Sequence, residues 1–213
     1  TIGLKQVDPA KSVGKYIKSC EWNEFLEDPD SLVIDTRNEY EIKIGNFAGA
    51  LNPHTSSFRE FPEWVQKYLK PLIEENPSLK IGMYCTGGIR CEKATSYLIE
   101  EGFSDVHHLE GGILKYLEDV SPEKSLWDGE CFVFDQRVSL DHDLLPGSHR
   151  MCHACGLPVS PEDLKKTTYI KGLQCEGCVD KYTDSDRERF AERQRQIDEI
   201  MKRLPDNSIW PSS

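Results

Sequence analysis

The stretch Ile81-Gly-Met-Tyr-Cys85-Thr-Gly-Gly-Ile-Arg90-Cys91-Glu-Lys93-Ala passes from a short apolar segment through a glycine-rich turn directly into a helical pattern. A strand that feeds a helix over so few residues points to an α/β architecture, in which helices cover a parallel sheet. Cys85 opens the turn and Arg90 closes it. The loop Cys85, Thr86, Gly87, Gly88, Ile89, Arg90 is expected to curl round one point with its N–H groups inward, the paired glycines removing side chains that would block the curl. This is an anion cradle. The helix that follows, expected to begin near Cys91 and stop at Gly102, aims its positive end at the same point, and Arg90 adds a full charge. Such a field stabilises a thiolate at Cys85, whose pKa would ordinarily be ~8.5. The competing reading is a structural cysteine buried beside a tight turn, which requires neither the glycines nor the arginine.

The flanking sequence alternates strand with helix over residues 30–118, which implies a doubly wound parallel sheet. Ser12–Ile17 reads as a lead-in strand. Ser19 is expected to cap a short helix through Cys20, Trp22, Phe25 and Leu26, with Cys20 as packing. Leu32-Val-Ile-Asp35 is a buried strand. Asp35 and Arg37 lie at its carboxyl end, where open α/β sheets collect ligands, and either face the cradle or pair with each other to fix the turn. Helices are expected over Glu60–Leu69 and again before Asn76-Pro. His54 reads as a solvated loop residue, and neither His107 nor His108, on the strand Val106–Leu109, is assigned to the site. Glu110-Gly-Gly112 is a tight turn before a helix at Ile113–Leu117, and Trp127–Val138 is an aromatic, alternating β segment. Residues 1–14 are read as the lead-in from a preceding domain, 15–120 as the α/β domain, 121–150 as a β and linker region, and 151–213 as a small separate module.

No apolar run approaches the ~18 residues that cross a bilayer, and no secretory signal pattern opens the chain, so it is read as cytoplasmic with no membrane partner. In that compartment its eight cysteines are read as chemistry and metal rather than disulfides. Cys152-His-Ala-Cys155 and Cys175-Glu-Gly-Cys178 lie 19 residues apart. Two such knuckles supply four thiolates to a structural zinc ion and leave no open position for chemistry. His149 and His153 are expected to stand outside that shell. Beyond it, Asp184–Arg203 reads as a charged helix with a thin stripe of Phe190, Ile197, Ile200 and Met201, docked by that stripe or reaching toward RNA. The net charge of −11 excludes a surface that attracts nucleic acid everywhere, but not a local basic site.

Leu32-Val-Ile-Asp-Thr-Arg-Asn-Glu-Tyr-Glu, Gly45-Asn-Phe-Ala-Gly-Ala-Leu-Asn, the Cys85 loop and Leu109-Glu-Gly-Gly-Ile resemble a rhodanese domain over roughly residues 15–120. Together with Gly129-Glu-Cys-Phe-Val-Phe-Asp and the four-cysteine cluster, they resemble the bacterial tRNA uridine(34) hydroxylase family along nearly the whole chain. The resemblance implies a rhodanese-like sheet followed by a zinc module and helix, and oxygen-dependent 5-hydroxylation of the wobble uridine in the tRNA anticodon loop. It also implies dioxygen as co-substrate, a further N-terminal domain, and Cys85 as the active-site cysteine. No organic cofactor is evident. Chemically, a thiolate that adds at carbon 6 of uracil makes carbon 5 nucleophilic, and Arg90 with the loop amides would stabilise the enolate. A rhodanese-type sulfurtransferase is the second reading, Cys85 carrying a persulfide that Cys91 or Cys131 passes on. A non-catalytic RNA- or protein-binding module is the third. A phosphatase would need a loop one residue longer. Cys91 is either a resolving thiol or an ordinary helix-start cysteine. Both enzymatic readings require a thiol that solvent can reach.

Overall fold

The computed structural model describes residues 8–203. The first part of the expected lead-in, residues 1–7, lies outside them. The chain divides into two compact units, one built on residues up to Phe134 with Leu140–Pro146, the other on Asp135–Ser139 with the residues from Gly147 onward.

In chain order the first unit holds β1 (Lys15–Ile17), α1 (Ser19–Glu27), β2 (Ser31–Asp35), α2 (Glu39–Ile42), β3 (Gly45–Phe47), α3 (Phe61–Trp64), α4 (Lys70–Glu75), β4 (Lys80–Tyr84), α5 (Ile89–Glu100), β5 (Val106–Leu109), α6 (Gly112–Asp119), β6 (Trp127–Gly129) and β7 (Cys131–Phe132). Strands β1, β5, β4 and β2 lie side by side in that order and all run parallel. Leu51 adds a parallel bridge to Ile34 at the outer edge. This is the rhodanese-like parallel sheet that the alternation implied. Because successive side chains leave a strand on opposite faces, Ile34, Ile81, Met83 and Val106 pack on one side with α5, while Ile17, Val33, Tyr84 and Leu109 pack on the other with α1 and α6. Each fully buried aliphatic side chain there contributes roughly 1.5–3 kcal/mol.

Several local expectations need correction. Ser19 is the first residue of α1 and Lys18 holds the cap position, while Cys20 is exposed rather than packed. The buried face belongs to Trp22, which stacks on Phe25 with ring centroids 5.6 Å apart. The two helices expected around residues 60–75 form one helical run, with a π-type turn at Val65–Leu69 between α3 and α4. Pro71 explains the wide turn: it lacks the N–H that an α-helix would use there, and its ring crowds the carbonyl four residues back. His54 is exposed, and His107 is tied to Asp105 at 2.9 Å.

β8 (Ser139–Leu140) lies where the two units divide. The second unit then contains β9 (Arg150–Met151) and β10 (Pro158–Val159), an antiparallel pair, and α7 (Asp184–Arg203). Helix α7 starts on a reciprocal cap: Asp186 N–H donates to Thr183 Oγ1 at 3.2 Å and Thr183 N–H to Asp186 Oδ2 at 3.1 Å. Its docking differs from the expected stripe. Phe190 meets the Tyr182 ring, Gln194 is buried, and Arg193 donates to the carbonyls of His153 and Gly172. Ile197, Ile200 and Met201 stay largely exposed. Two other arginines are committed within the helix, Arg189 to Asp186 and Arg195 to both Glu192 and Glu199.

Candidate active site

Strand β4 ends at Tyr84 and the chain turns at once. Gly88 is the residue that lets it turn, with φ of 87° in the region open to glycine, and it caps α5, which therefore begins at Ile89 rather than near Cys91. Gly87 has ordinary backbone angles and open space where a side chain would go, so only one of the paired glycines is required by geometry. The second necessary glycine lies elsewhere. Gly112, at φ of 66°, opens α6 so close beneath the loop that an added Cβ would stand 2.4 Å from the Cys85 carbonyl oxygen. That approach lets Ile113 N–H donate to the Cys85 carbonyl at 2.9 Å and Leu114 N–H to the Thr86 carbonyl at 3.1 Å. With its carbonyls held outward by α6, the loop presents N–H groups inward.

The Gly88 N–H donates to the Cys85 sulfur at 3.1 Å. The backbone N–H groups of Arg90 and Cys91 favour the thiolate as well, and the Cys91 thiol is the strongest single influence. Donation from Cys91, the Arg90 charge and these amides together outweigh burial and hold Cys85 well below the usual thiol range. Cys91 is the complement: burial and the adjacent sulfur push its own thiol up, so it stays protonated and able to donate. Thr36 Oγ1 lies 3.5 Å from the Cys91 sulfur and donates to the Tyr84 carbonyl at 3.0 Å, tying the end of β2 to the loop. Cys91→Ala is expected to move the pH midpoint of Cys85 alkylation by iodoacetamide upward, toward the ~8.5 of an ordinary thiol. Cys91→Ser, which keeps a donor, is expected to move it less. Equal midpoints in all three proteins would remove Cys91 from the account.

Between Asp35 and Arg37 it is thus Thr36 that reaches the loop. The two charged residues make the pair that was the other reading of this turn: Arg37 Nη2 lies 2.6 Å from Asp35 Oδ2, with both side chains buried. Arg37 also donates to the carbonyls of Gly45 and Glu41, and its guanidinium lies 5.1 Å from the Trp127 ring centre, so it joins β2, β3 and β6. Neither residue is placed as an accessory group at the sulfur.

Arg90 is not a free charge. Glu41, fully buried, accepts from Arg90 Nη1 at 2.8 Å and Nη2 at 2.6 Å. The clamp fixes the guanidinium and offsets part of its field. Glu41 also closes a capping box with Asn38 at the start of α2, a pattern legible in Asn38-Glu-Tyr-Glu41. Nothing in that pattern signals a partner 49 residues away. Phe132 and Phe134 lie alongside: Thr86 Oγ1 donates to the Phe132 carbonyl at 3.5 Å, and the Arg90 guanidinium carbon is 5.7 Å from the Phe134 ring centre. One expectation is overturned: Cys85 is only 2% exposed, so its sulfur does not stand open to solvent. The underlying α6 and the loop's own curl pack against it. Cys131 is buried too, and burial pushes its thiol up to about 12, which leaves it protonated and a poor acceptor of sulfur.

In the second unit Cys152, Cys155, Cys175 and Cys178 bring their sulfurs within 4.8 Å of one another and can hold a metal ion. Each pair forms a knuckle, with Gly156 N–H donating to the Cys152 carbonyl at 2.8 Å and Cys175 N–H to the Cys178 sulfur at 3.2 Å. His149 and His153 stand outside the set.

A sequence model of the rhodanese-like domain matches residues 21–119. The tRNA uridine(34) hydroxylase of Prochlorococcus marinus strain NATL1A is 89% identical over 213 residues, covering 100% of this chain and 67% of that protein. The protein of the same name from P. marinus strain SARG is 58% identical, covering 100% of this chain and 66% of its own length. The chain thus spans about two thirds of the length of these relatives. Among solved structures, the rhodanese-like domain of an Anabaena protein is 21% identical, covering 54% of this chain and 78% of that one, with a TM-score of 0.42. No described helix is long and apolar enough to cross a membrane.

Proposed function

The chain belongs to the tRNA uridine(34) hydroxylase family, and from that premise we propose that it hydroxylates carbon 5 of the wobble uridine of tRNA with Cys85 as nucleophile. The observation that supports the role of Cys85 is its sulfur, which accepts from the Gly88 N–H at 3.1 Å in surroundings where the Cys91 thiol and the Arg90 charge lower its pKa. Thiolate addition to carbon 6 of uracil places negative charge on the ring oxygen and makes carbon 5 an enolate carbon. Arg90, fixed by Glu41, supplies the positive charge near which that enolate forms. Dioxygen is the proposed source of the new hydroxyl: one atom enters at carbon 5, the other leaves as water, and a cellular two-electron donor closes the balance. Loss of the carbon 5 proton and of the thiolate then restores the aromatic ring. Anticodon loops present unpaired bases, so the uridine can turn out of its stack. Because Cys85 is 2% exposed, the base reaches it only when the rim of the loop yields.

The proposed metal of the second unit is structural zinc. Zinc–sulfur bonds of ~2.3 Å in a tetrahedron place neighbouring sulfurs ~3.8 Å apart. The sulfurs here lie 3.9 Å apart for Cys152 and Cys178, 3.7 Å for Cys155 and Cys175, and 3.8 Å for Cys175 and Cys178. Bound zinc would hold the two knuckles together and take no part in the reaction. The tRNA anticodon loop is the proposed partner and the cytoplasm the proposed setting.

The test is mass spectrometry of wobble nucleosides from cells lacking the gene and complemented with full-length wild type or Cys85→Ser. Complete loss of 5-hydroxyuridine derivatives with Cys85→Ser is expected, and full retention would reject the nucleophilic role. Thiocyanate formation from thiosulfate and cyanide, at a rate comparable with dedicated sulfurtransferases, would instead favour sulfur transfer. The protonated, buried Cys131 argues against a relay through that residue.

A further inference from the structure

We propose that the ring of Phe134 is the platform on which the base adjoining uridine 34 stacks while the uridine enters the Cys85 loop, an inference that rests on the function proposed above. A single exposed apolar side chain is ordinary on a protein surface. Phe134 differs in how it is held. It is 68% exposed, yet its ring is braced edge-to-face on Phe132 at 5.0 Å and 88°. Phe132 is braced in the same way on Tyr40 at 5.3 Å and 84°. Tyr40 precedes Glu41, the residue that clamps Arg90, and the Arg90 guanidinium returns to Phe134 at 5.7 Å from its centre. Thr86, inside the loop, bonds the Phe132 carbonyl. The exposed ring is therefore fixed to the reactive loop through its aromatic support, its backbone and its cation neighbour.

This arrangement suits one class of ligand. A rigid aromatic ring gives a stacking face at small entropic cost, and every nucleobase has a π-face to place on it. Ile89, within the loop, is 70% exposed and adds a second apolar contact at the rim. A small sulfur anion would use neither. The net charge of −11 leaves no generally basic surface, and stacking is a source of binding that does not depend on phosphate attraction. Arg90 beside the ring offers a cation to the stacked base or its phosphate.

The test uses full-length protein and anticodon stem-loop RNAs carrying 2-aminopurine on one side or the other of uridine 34. With wild type, fluorescence of one probe is expected to be quenched on binding. Phe134→Ala is expected to abolish that quench and weaken binding by about ten- to a hundredfold, the range of one lost base–aromatic stack. Phe134→Trp is expected to restore both. Wobble hydroxylation in complemented cells should fall with Phe134→Ala and recover with Phe134→Trp, while melting temperature and the rate of Cys85 alkylation stay at the wild-type level. Unchanged quench and affinity in Phe134→Ala would overturn the inference. So would a lowered melting temperature with the quench intact, the result expected if another segment of the full-length protein covers the ring. Either outcome leaves the proposed hydroxylation standing, because that falls only if cells lacking the gene keep full wobble modification.

Discussion

Asp35→Ala is expected to destabilise the first unit by about 3–5 kcal/mol, the usual consequence of leaving one member of a buried ion pair without its partner. Arg37 is wholly buried and its guanidinium is always charged, so it cannot escape the loss by giving up a proton. Burial would disfavour the cation, but the charge and hydrogen bonds of Asp35 outweigh it and keep Arg37 ionised. With the carboxylate gone, only the carbonyls of Gly45 and Glu41 and the faces of Trp127 and Tyr84 remain to it. Urea unfolding followed by tryptophan fluorescence measures the change, since Trp22 and Trp127 lie in that core. Asp35→Leu combined with Arg37→Met is expected to recover much of the loss, because removing both charges removes the desolvation cost as well. A single variant within ~1 kcal/mol of wild type would show the pair to be incidental.

The second large effect is expected from metal removal. Apparent binding free energies of structural zinc sites run to ~10–16 kcal/mol, more than a small module gains from its own core. Here the buried core of the module is Cys152, Val159, Cys175 and Cys178, so three of its four members belong to the cysteine cluster that can hold a metal ion. A strong chelator, or Cys152→Ser, is expected to expose residues 147–203 to proteolysis while the first unit keeps its unfolding transition. One zinc per chain by elemental analysis, lost with Cys152→Ser, is the accompanying result. A module that resists protease equally well with and without chelator would show that the cysteines act in some other way.

The parallel sheet, the reactive loop and the cysteine pairs were legible in the sequence because each follows from local signals: apolar runs of strand length, a strand-to-helix turn with glycine, and a fixed knuckle spacing. The partners of the site were not. Glu41 meets Arg90 across 49 residues, and Gly112 meets Cys85 across 27, separations over which no periodicity carries information. Thr36 could be placed between two charged neighbours but not given its direction, because the alternation of a strand fixes faces only once the register is known. The apolar stripe of α7 misled for another reason. The apolar members of its C-terminal half stay exposed, while docking is made by Phe190, by buried Gln194 and by Arg193, which joins backbone carbonyls that no sequence pattern reveals.

The seating of α6 under the loop has a consequence for the sulfur's whole reaction cycle. With the oxygens of Cys85 and Thr86 pinned from below, neither peptide plane can rotate to offer its carbonyl to the interior. The polar backbone groups turned toward the sulfur are N–H donors. A thiolate, a sulfenate or a persulfide at this position would meet the same N–H donors. The backbone is thereby set to favour negative charge on this sulfur before any substrate arrives.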